Sequence, residues 1–245
     1  MAMNLVLDFG NTRIKLGLFD KDSLIQSKCY NSVNELLTDL NLFPKLTHCF
    51  ICSVTPQHEL VLEQLKKLAN TILFSAQTNL PIQNCYKSNL TLGSDRIAAS
   101  VGSFCLYPNQ NVLTIDAGTC IKYNFVNSQN QFLGGAISPG IAMRLKSMQE
   151  NTAALPLVKI DLNYNQLVGE NTNQSLLSGA LIGSACEIEQ MIARYKLNYE
   201  NLQVVLTGGD ADYLSKQLKN RFFTNPIIII QGLNNILNYN IEKQN

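Results

Sequence analysis

An α/β fold built from two similar halves is predicted by three features of this 245-residue chain. A short turn rich in Asp, Gly and Thr occurs twice, at residues 8–15 and again at 116–122. Each copy is entered and left by an apolar run, the pattern of strand, tight turn and strand. After each copy, helical and strand patterns alternate, as sheets covered by helices require.

The elements follow in order. Leu5-Val6-Leu7 enters the first turn and Ile14-Lys15-Leu16-Gly17-Leu18 leaves it, which predicts strands near 4–9 and 13–19. A strand at 23–28, a helix over 33–40 and a strand over 47–54 come next. Pro56 opens a helix over 57–69, because proline is tolerated in the first turn, where no N–H is needed. A short strand at 71–74 and an irregular segment over 79–92 lead to a helix over 95–106. Tyr107-Pro108-Asn109 stops that helix, so the halves are placed at 1–108 and 109–245. The second half repeats the order, with strands near 111–116, 120–126 and 131–137 followed by helical segments. Apolar residues at helical spacing, including Leu176, Leu177, Ala180, Leu181 and Ile188, predict a helix over 173–196. A strand at 202–206 and a helix over 211–220 complete the pattern. No linker separates the halves, so tight packing around a cleft is expected, with ligand beyond the strand ends.

Composition narrows the function. Hydrophobic residues make up 46% of the chain, enough for a substantial core. A net charge of +1 without a basic block, and no Trp, argue against nucleic acid and for a small-molecule partner. Asp8 and Asn11 interrupt the apolar start before a signal core or membrane span develops, which predicts a cytoplasmic protein without a membrane partner. Seven scattered cysteines fit a reducing compartment better than a disulfide framework. Cys49 and Cys52 share a metal-like spacing, but they lie in an apolar strand pattern without a second pair, which reads as core.

Four constellations carry chemistry. In Asp8-Phe9-Gly10-Asn11-Thr12-Arg13-Ile14-Lys15 and Asp116-Ala117-Gly118-Thr119, glycine permits close backbone approach, turn N–H groups and hydroxyls meet phosphate oxygens, and aspartate holds a cation or its waters. One such turn is commonplace as a β-turn with an Asx hydrogen bond. Its repetition predicts polyphosphate binding, with Lys15 as a point charge on the transferable phosphate. Leu92-Gly93-Ser94-Asp95-Arg96-Ile97 sets an acid and a base at a helix start. It reads equally as an N-cap by Ser94 or as a carboxylate that takes a proton from an attacking hydroxyl. Gly134-Gly135-Ala136-Ile137-Ser138-Pro139-Gly140 is either a structural bend or a close approach to nucleotide. Thr207-Gly208-Gly209-Asp210, between strand and helix, is a weaker nucleoside-side signal.

In combination, Asp-x-Gly-Asn-Thr, Gly-x-Asp-Arg, Asp-x-Gly-Thr and Gly-Gly-x-Ile-x-Pro-Gly resemble the type III pantothenate kinases, from Asp8 to Thr207. The resemblance implies a duplicated actin-like, ribonuclease H-like fold with two similar halves around a nucleotide cleft. It implies transfer of the ATP γ-phosphate to pantothenate, the first step of coenzyme A synthesis. It further implies Mg2+, a monovalent cation (K+ or NH4+), and a homodimer whose active site is shared across the interface. Carried onto this sequence, residues 8–15 and Thr119 contact ATP, Asp116 binds the monovalent cation, and Asp95 is the catalytic base. Tyr86 and Gly93, Ser94, Asp95 and Arg96 form the pantothenate segment, and Thr172 reaches pantothenate in the neighbouring subunit. The chain departs from the family pattern in having Asn89 where proline is usual, and Ile121 and Lys122 where threonine is usual. Lys122 either strengthens ATP binding, takes over part of the cation's role, or points away. The rival readings are a kinase of another small hydroxy compound and a non-catalytic regulator on the same fold.

Overall fold

The first hairpin forms where its apolar runs place it, as β1 (Met3–Phe9) and β2 (Ile14–Asp20), paired antiparallel with Asp8 opposite Lys15. The computed structural model describes residues 3–40, 42–53, 58–88, 91–219 and 222–244. Pro56 and Asn89, named above, lie outside them, as do residues 54, 57 and 220 at the ends of expected elements. The chain divides into two compact units. Unit 1 comprises residues 1–110, 126–134 and 227–245, and unit 2 comprises 111–125 and 135–226.

In unit 1 the sheet order is β3-β2-β1-β4-β5, with β3 at Ser23–Tyr30, β4 at Leu46–Ser53 and β5 at Asn70–Leu73. β4 runs parallel to β1, and β5 parallel to β4. All of β1 is buried, as an apolar central strand covered on both faces must be. One face carries Leu36 and Leu40 of α1 (Val33–Leu40) and Val61 and Leu65 of α2 (Glu59–Leu68). α3 (Ser94–Leu106) packs against α7 (Ile228–Gln244), which also lies on β1. No helix is expected from the sequence over 228–244, because asparagines interrupt its periodicity. The fold satisfies those asparagines from outside the helix. Asn234 donates to the Lys21 carbonyl at 2.8 Å, Asn238 accepts from Asn4 at 2.9 Å, and Asn240 donates to the Asn79 carbonyl at 2.9 Å.

Unit 2 repeats this order as β11-β10-β7-β8-β9. Here β7 is Val112–Ala117, β8 Cys120–Val126, β9 Gln131–Pro139, β10 Gln203–Thr207 and β11 Phe223–Thr224. β10 runs parallel to β7, with Thr207 opposite Asp116. The first residues of β9 belong to unit 1, where Gln131 and Phe132 pair with β6 (Gln83–Asn84). The two-residue strands β6 and β11 are too short to leave a sequence pattern. α4 (Ile141–Glu150), α5 (Thr172–Asn198) and α6 (Ala211–Gln217) complete the unit. α5 is long and apolar enough to cross a membrane by length and composition. Its Leu176, Leu177, Leu181, Ile188 and Ile192 are buried in the core of unit 2, so a core helix accounts for its hydropathy.

Candidate active site

In unit 1 the first turn closes by a hydrogen bond from the Gly10 N–H to the Arg13 carbonyl at 3.1 Å. Asn11, Thr12 and Arg13 are exposed at its tip, whereas Phe9 and Ile14 are buried and anchor the turn to the core. Of the nine residues expected to bind nucleotide, those two therefore offer only backbone. Asp8, next to last in β1, is a buried carboxylate, and Lys15, half-buried, stands opposite it in the hairpin register.

Beside Asp8, at the same end of the sheet, β4 presents Cys52. Its thiol donates to the Ser94 hydroxyl at 3.0 Å. Burial, then the Asp8 charge, pushes that thiol well above its ordinary range, and Asp95 adds to the push. Cys52 is thus a neutral spacer with both carboxylates in its neighbourhood. Gly93, rather than Ser94, holds the N-cap position of α3, which leaves Ser94 in the first turn facing Cys52. Asp95 accepts from the Arg96 N–H at 2.9 Å, which fixes its carboxylate at the helix N-terminus.

Arg96 is 5% exposed, and its guanidinium lies 5.4 Å from the Tyr86 ring centroid and 5.9 Å from that of Phe132. The β6 pairing with β9 brings those two rings to 6.1 Å of each other. A buried guanidinium packed against two aromatic rings is held in one orientation, suited to a planar carboxylate. A cavity of about 470 Å³ opens at the start of α3, lined by Ser53, Phe74, Thr78, Asn84, Gly93 and Ser94 among others, with Tyr86, Asp95 and Arg96 outside that lining. Its size falls within the range of small-molecule sites.

In unit 2, Asp116 is next to last in β7 and the second turn closes from the Gly118 N–H to the Cys120 carbonyl at 3.1 Å. Thr119 is exposed at the tip. Two further glycine turns press on this one. The Gly140 N–H donates to the Thr119 carbonyl at 3.1 Å, and a Cβ at Gly140 would sit 1.9 Å from the Gly118 carbonyl oxygen. Gly208 has φ +99°, and a Cβ there would sit 2.1 Å from the Ala117 carbonyl oxygen. The three glycine-bearing segments of the second half therefore meet at one turn. Lys122, on β8, brings its ammonium to 2.7 Å from Asp116 Oδ2, with the two side chains 21% and 11% exposed. A further monovalent cation about 5 Å from that ammonium would be repelled by roughly 3 kcal/mol at an effective dielectric near 20.

Glu187 of α5 ties the Ser138-Pro139-Gly140 bend in place. It accepts from Tyr123 at 2.8 Å and from Ser138 at 2.5 Å and pairs with Arg144, which also donates to the Pro139 carbonyl at 2.9 Å. Burial works to raise the Glu187 carboxyl, but hydrogen bonds from Ser138, Arg144 and Tyr123 outweigh it and hold the carboxyl below its ordinary 4.5. A depressed carboxyl contributes stability fully present above its unfolded value and lost as pH falls through the lower folded one. Thermal unfolding followed from about pH 6 to pH 3 should therefore show a drop in melting temperature that Glu187→Gln reduces. At neutral pH that variant should be less stable by about 1–3 kcal/mol, since Arg144 loses its charged partner. An unchanged pH slope in Glu187→Gln would rule this out.

Thr172 is exposed in the first turn of α5, capped by Asn171, whose side chain accepts from the Gln174 N–H at 3.0 Å. The structure thus gathers Asp8, Ser94, Asp95, Tyr86 and Arg96 within unit 1, and Asp116 and Thr119 within unit 2, the unit to which Thr172 also belongs. Sequence reading missed Cys52 and Phe132 as neighbours of the site, and Glu187 as the anchor of the bend. The alignment of Cys52 with Asp8 follows from parallel register, which no local pattern encodes.

Comparison with known proteins adds the family. Residues 4–194 match the family model for type III pantothenate kinase. A type III pantothenate kinase of Cytophaga hutchinsonii is 40% identical over 239 residues, which cover 98% of this chain and 100% of that protein. Among solved structures, a Campylobacter jejuni protein named for the Baf family of transcriptional activators superposes with a TM-score of 0.64 at 22% identity, covering 97% and 99% of the two chains. An activator of 2-hydroxyisocaproyl-CoA dehydratase from Clostridium difficile, with bound ADPNP, gives 0.54 at 11% identity, covering 98% and 95%. At those identities the likeness concerns the fold, which is the actin-like one of such ATPases and of sugar kinases.

Proposed function

The chain belongs to the type III pantothenate kinases, and from that premise we propose how its residues carry the reaction. It phosphorylates pantothenate with ATP, the entry to coenzyme A synthesis. The observation that carries this reading is Arg96, buried against the Tyr86 and Phe132 rings and next in sequence to Asp95, at a helix start where Gly93 and Ser94 line a cavity of small-molecule size. Pantothenate carries a carboxylate at one end and a primary hydroxyl at the other. Arg96 binds the carboxylate, Tyr86 and the 93–94 backbone orient the body, and Asp95 faces the hydroxyl.

Phosphotransfer is then mostly positioning and charge. As the hydroxyl oxygen bonds to the γ-phosphorus, the bond to the β-bridging oxygen breaks, ADP leaves, and the hydroxyl proton passes to Asp95. Lys15 meets the γ-phosphate charge, the turn over 8–15 holds the phosphates through its N–H groups, and Thr119 adds a contact to ATP. Among the described residues, no group of three or more His, Cys, Asp or Glu side chains converges, so magnesium comes with the nucleotide and Asp8 holds its waters. When bound, that ion neutralises phosphate charge. Thr172, exposed at the start of α5, is assigned to the pantothenate of a partner subunit, which makes the working unit a homodimer. The cytoplasm, where pantothenate and ATP meet, is its place.

Purified protein incubated with ATP, magnesium and pantothenate should form 4′-phosphopantothenate, detected by mass, with one ADP per product. A panel of other small hydroxy compounds should react at least about a hundredfold more slowly, because only pantothenate satisfies Arg96 and Asp95 together. Preferential turnover of another alcohol by folded protein would replace this reading.

A further inference from the structure

We infer that the Lys122 ammonium is this chain's own replacement for the monovalent cation at Asp116, so that its phosphotransfer needs neither potassium nor ammonium. The inference rests on the pantothenate kinase reading and deepens it. A resident cation requires a carboxylate with charge to spare, and the residues present do not offer one. Asp116 Oδ2 already holds the Lys122 Nζ at 2.7 Å, with both side chains largely shielded from water. One negative and one positive charge close the account at that point of the turn, and a second cation would meet like charge at short range in a medium that screens poorly.

The ammonium is also chemically apt. It carries the same single charge as a potassium or ammonium ion, and it has three hydrogen-bond donors. Being tethered to β8, it is present at every moment, whereas a free ion must be bound from solution. Its position is specific: Asp116 and Lys122 flank Gly118 and Thr119, the tip that presents backbone and hydroxyl. In the first hairpin Lys15 stands opposite Asp8 in the strand register. Each half of the chain thus supplies its phosphate turn with an aspartate and a lysine across the strands.

The test uses the full-length protein with ATP, magnesium and pantothenate in choline chloride, potassium chloride or ammonium chloride at one ionic strength. Wild-type turnover should agree within about twofold among the three salts. Lys122→Ala should lose at least roughly tenfold in choline and recover in potassium or ammonium, because removal of the side chain leaves Asp116 with a cation site. As a readout independent of turnover, potassium should raise the melting temperature of ATP-bound Lys122→Ala and leave that of the wild type unchanged. Lys122→Met keeps the stem and serves if the alanine variant does not fold. Wild-type turnover that rises tenfold with potassium overturns the inference while leaving the kinase reading intact. Lys122 variants that match wild type in choline, or stay inactive in every salt while folded, overturn it as well. No phosphorylated pantothenate from folded wild type in any salt rejects the kinase reading and the inference with it.

Discussion

Replacing Asp95 with asparagine is expected to lower kcat by about 10²–10⁴-fold, the usual worth of a positioned general base. That corresponds to roughly 3–5 kcal/mol of transition-state stabilisation. The substitution is nearly isosteric, and its side-chain carbonyl can still accept from the Arg96 N–H, which Asp95 now does at 2.9 Å. The start of α3 and the Arg96 stack on Tyr86 and Phe132 should therefore persist. ATP affinity, measured by calorimetry, should change by no more than about threefold, because the first turn and Lys15 are untouched. A variant with near-normal turnover would remove Asp95 from the proton transfer. A large fall in ATP affinity instead would recast it as part of the nucleotide site.

The second large effect is expected at Gly208. Its φ of +99° is disfavoured for any residue with a side chain, and a Cβ there would lie 2.1 Å from the Ala117 carbonyl oxygen. Strain of about 1–3 kcal/mol adds to the cost of moving rigid backbone, so Gly208→Ala should destabilise by about 3–5 kcal/mol. For a chain of this size that lowers the melting temperature by roughly 10 °C. Relief of the clash must displace residues 117–118, the turn that Gly140 also presses. Protein kept folded by cooling should then show a KM for ATP raised by roughly tenfold with a smaller change in kcat. Gly209→Ala is the control. A Cβ at Gly209 meets nothing within 4 Å, so its stability should stay within about 0.5 kcal/mol of wild type. Equal melting temperatures for the two variants would show that the close approach at 208 is not what shapes the turn.

Most of the architecture was legible in the sequence because it is written in local terms. The alternation around Asp8 and Asp116, the apolar stripe of α5 and the stop at Tyr107-Pro108 each specify an element by period, and β1, β2, β7, β8 and α5 form within a residue or two of those patterns. The repeat of the Asp-Gly-Thr turn pointed to two like units, and the sheet orders β3-β2-β1-β4-β5 and β9-β8-β7-β10-β11 are alike. What failed locally was decided by partners. α7 escaped notice because its asparagines, polar by type, are satisfied by Lys21, Asn4 and Asn79, residues far away in the chain. Ser94 reads as an N-cap, but the thiol of Cys52 engages its hydroxyl and Gly93 takes the cap position.

For the site, residue types and spacing by themselves determined the candidate base, the candidate phosphate turns and the arginine meant for a carboxylate. They left Lys122 with three readings, since a strand lysine has the same sequence whether it points at a ligand, an aspartate or solvent. Only the tertiary structure decided among them, setting its ammonium 2.7 Å from Asp116. The same holds for Arg96, whose two aromatic rings are Tyr86, just past β6, and Phe132 of β9, and for Glu187, whose hydrogen bonds come from β8, β9 and α4. Sequence period fixes which face of an element a side chain occupies, whereas pairing register and packing fix what it meets there, and it is the meeting of charges that sets the chemistry.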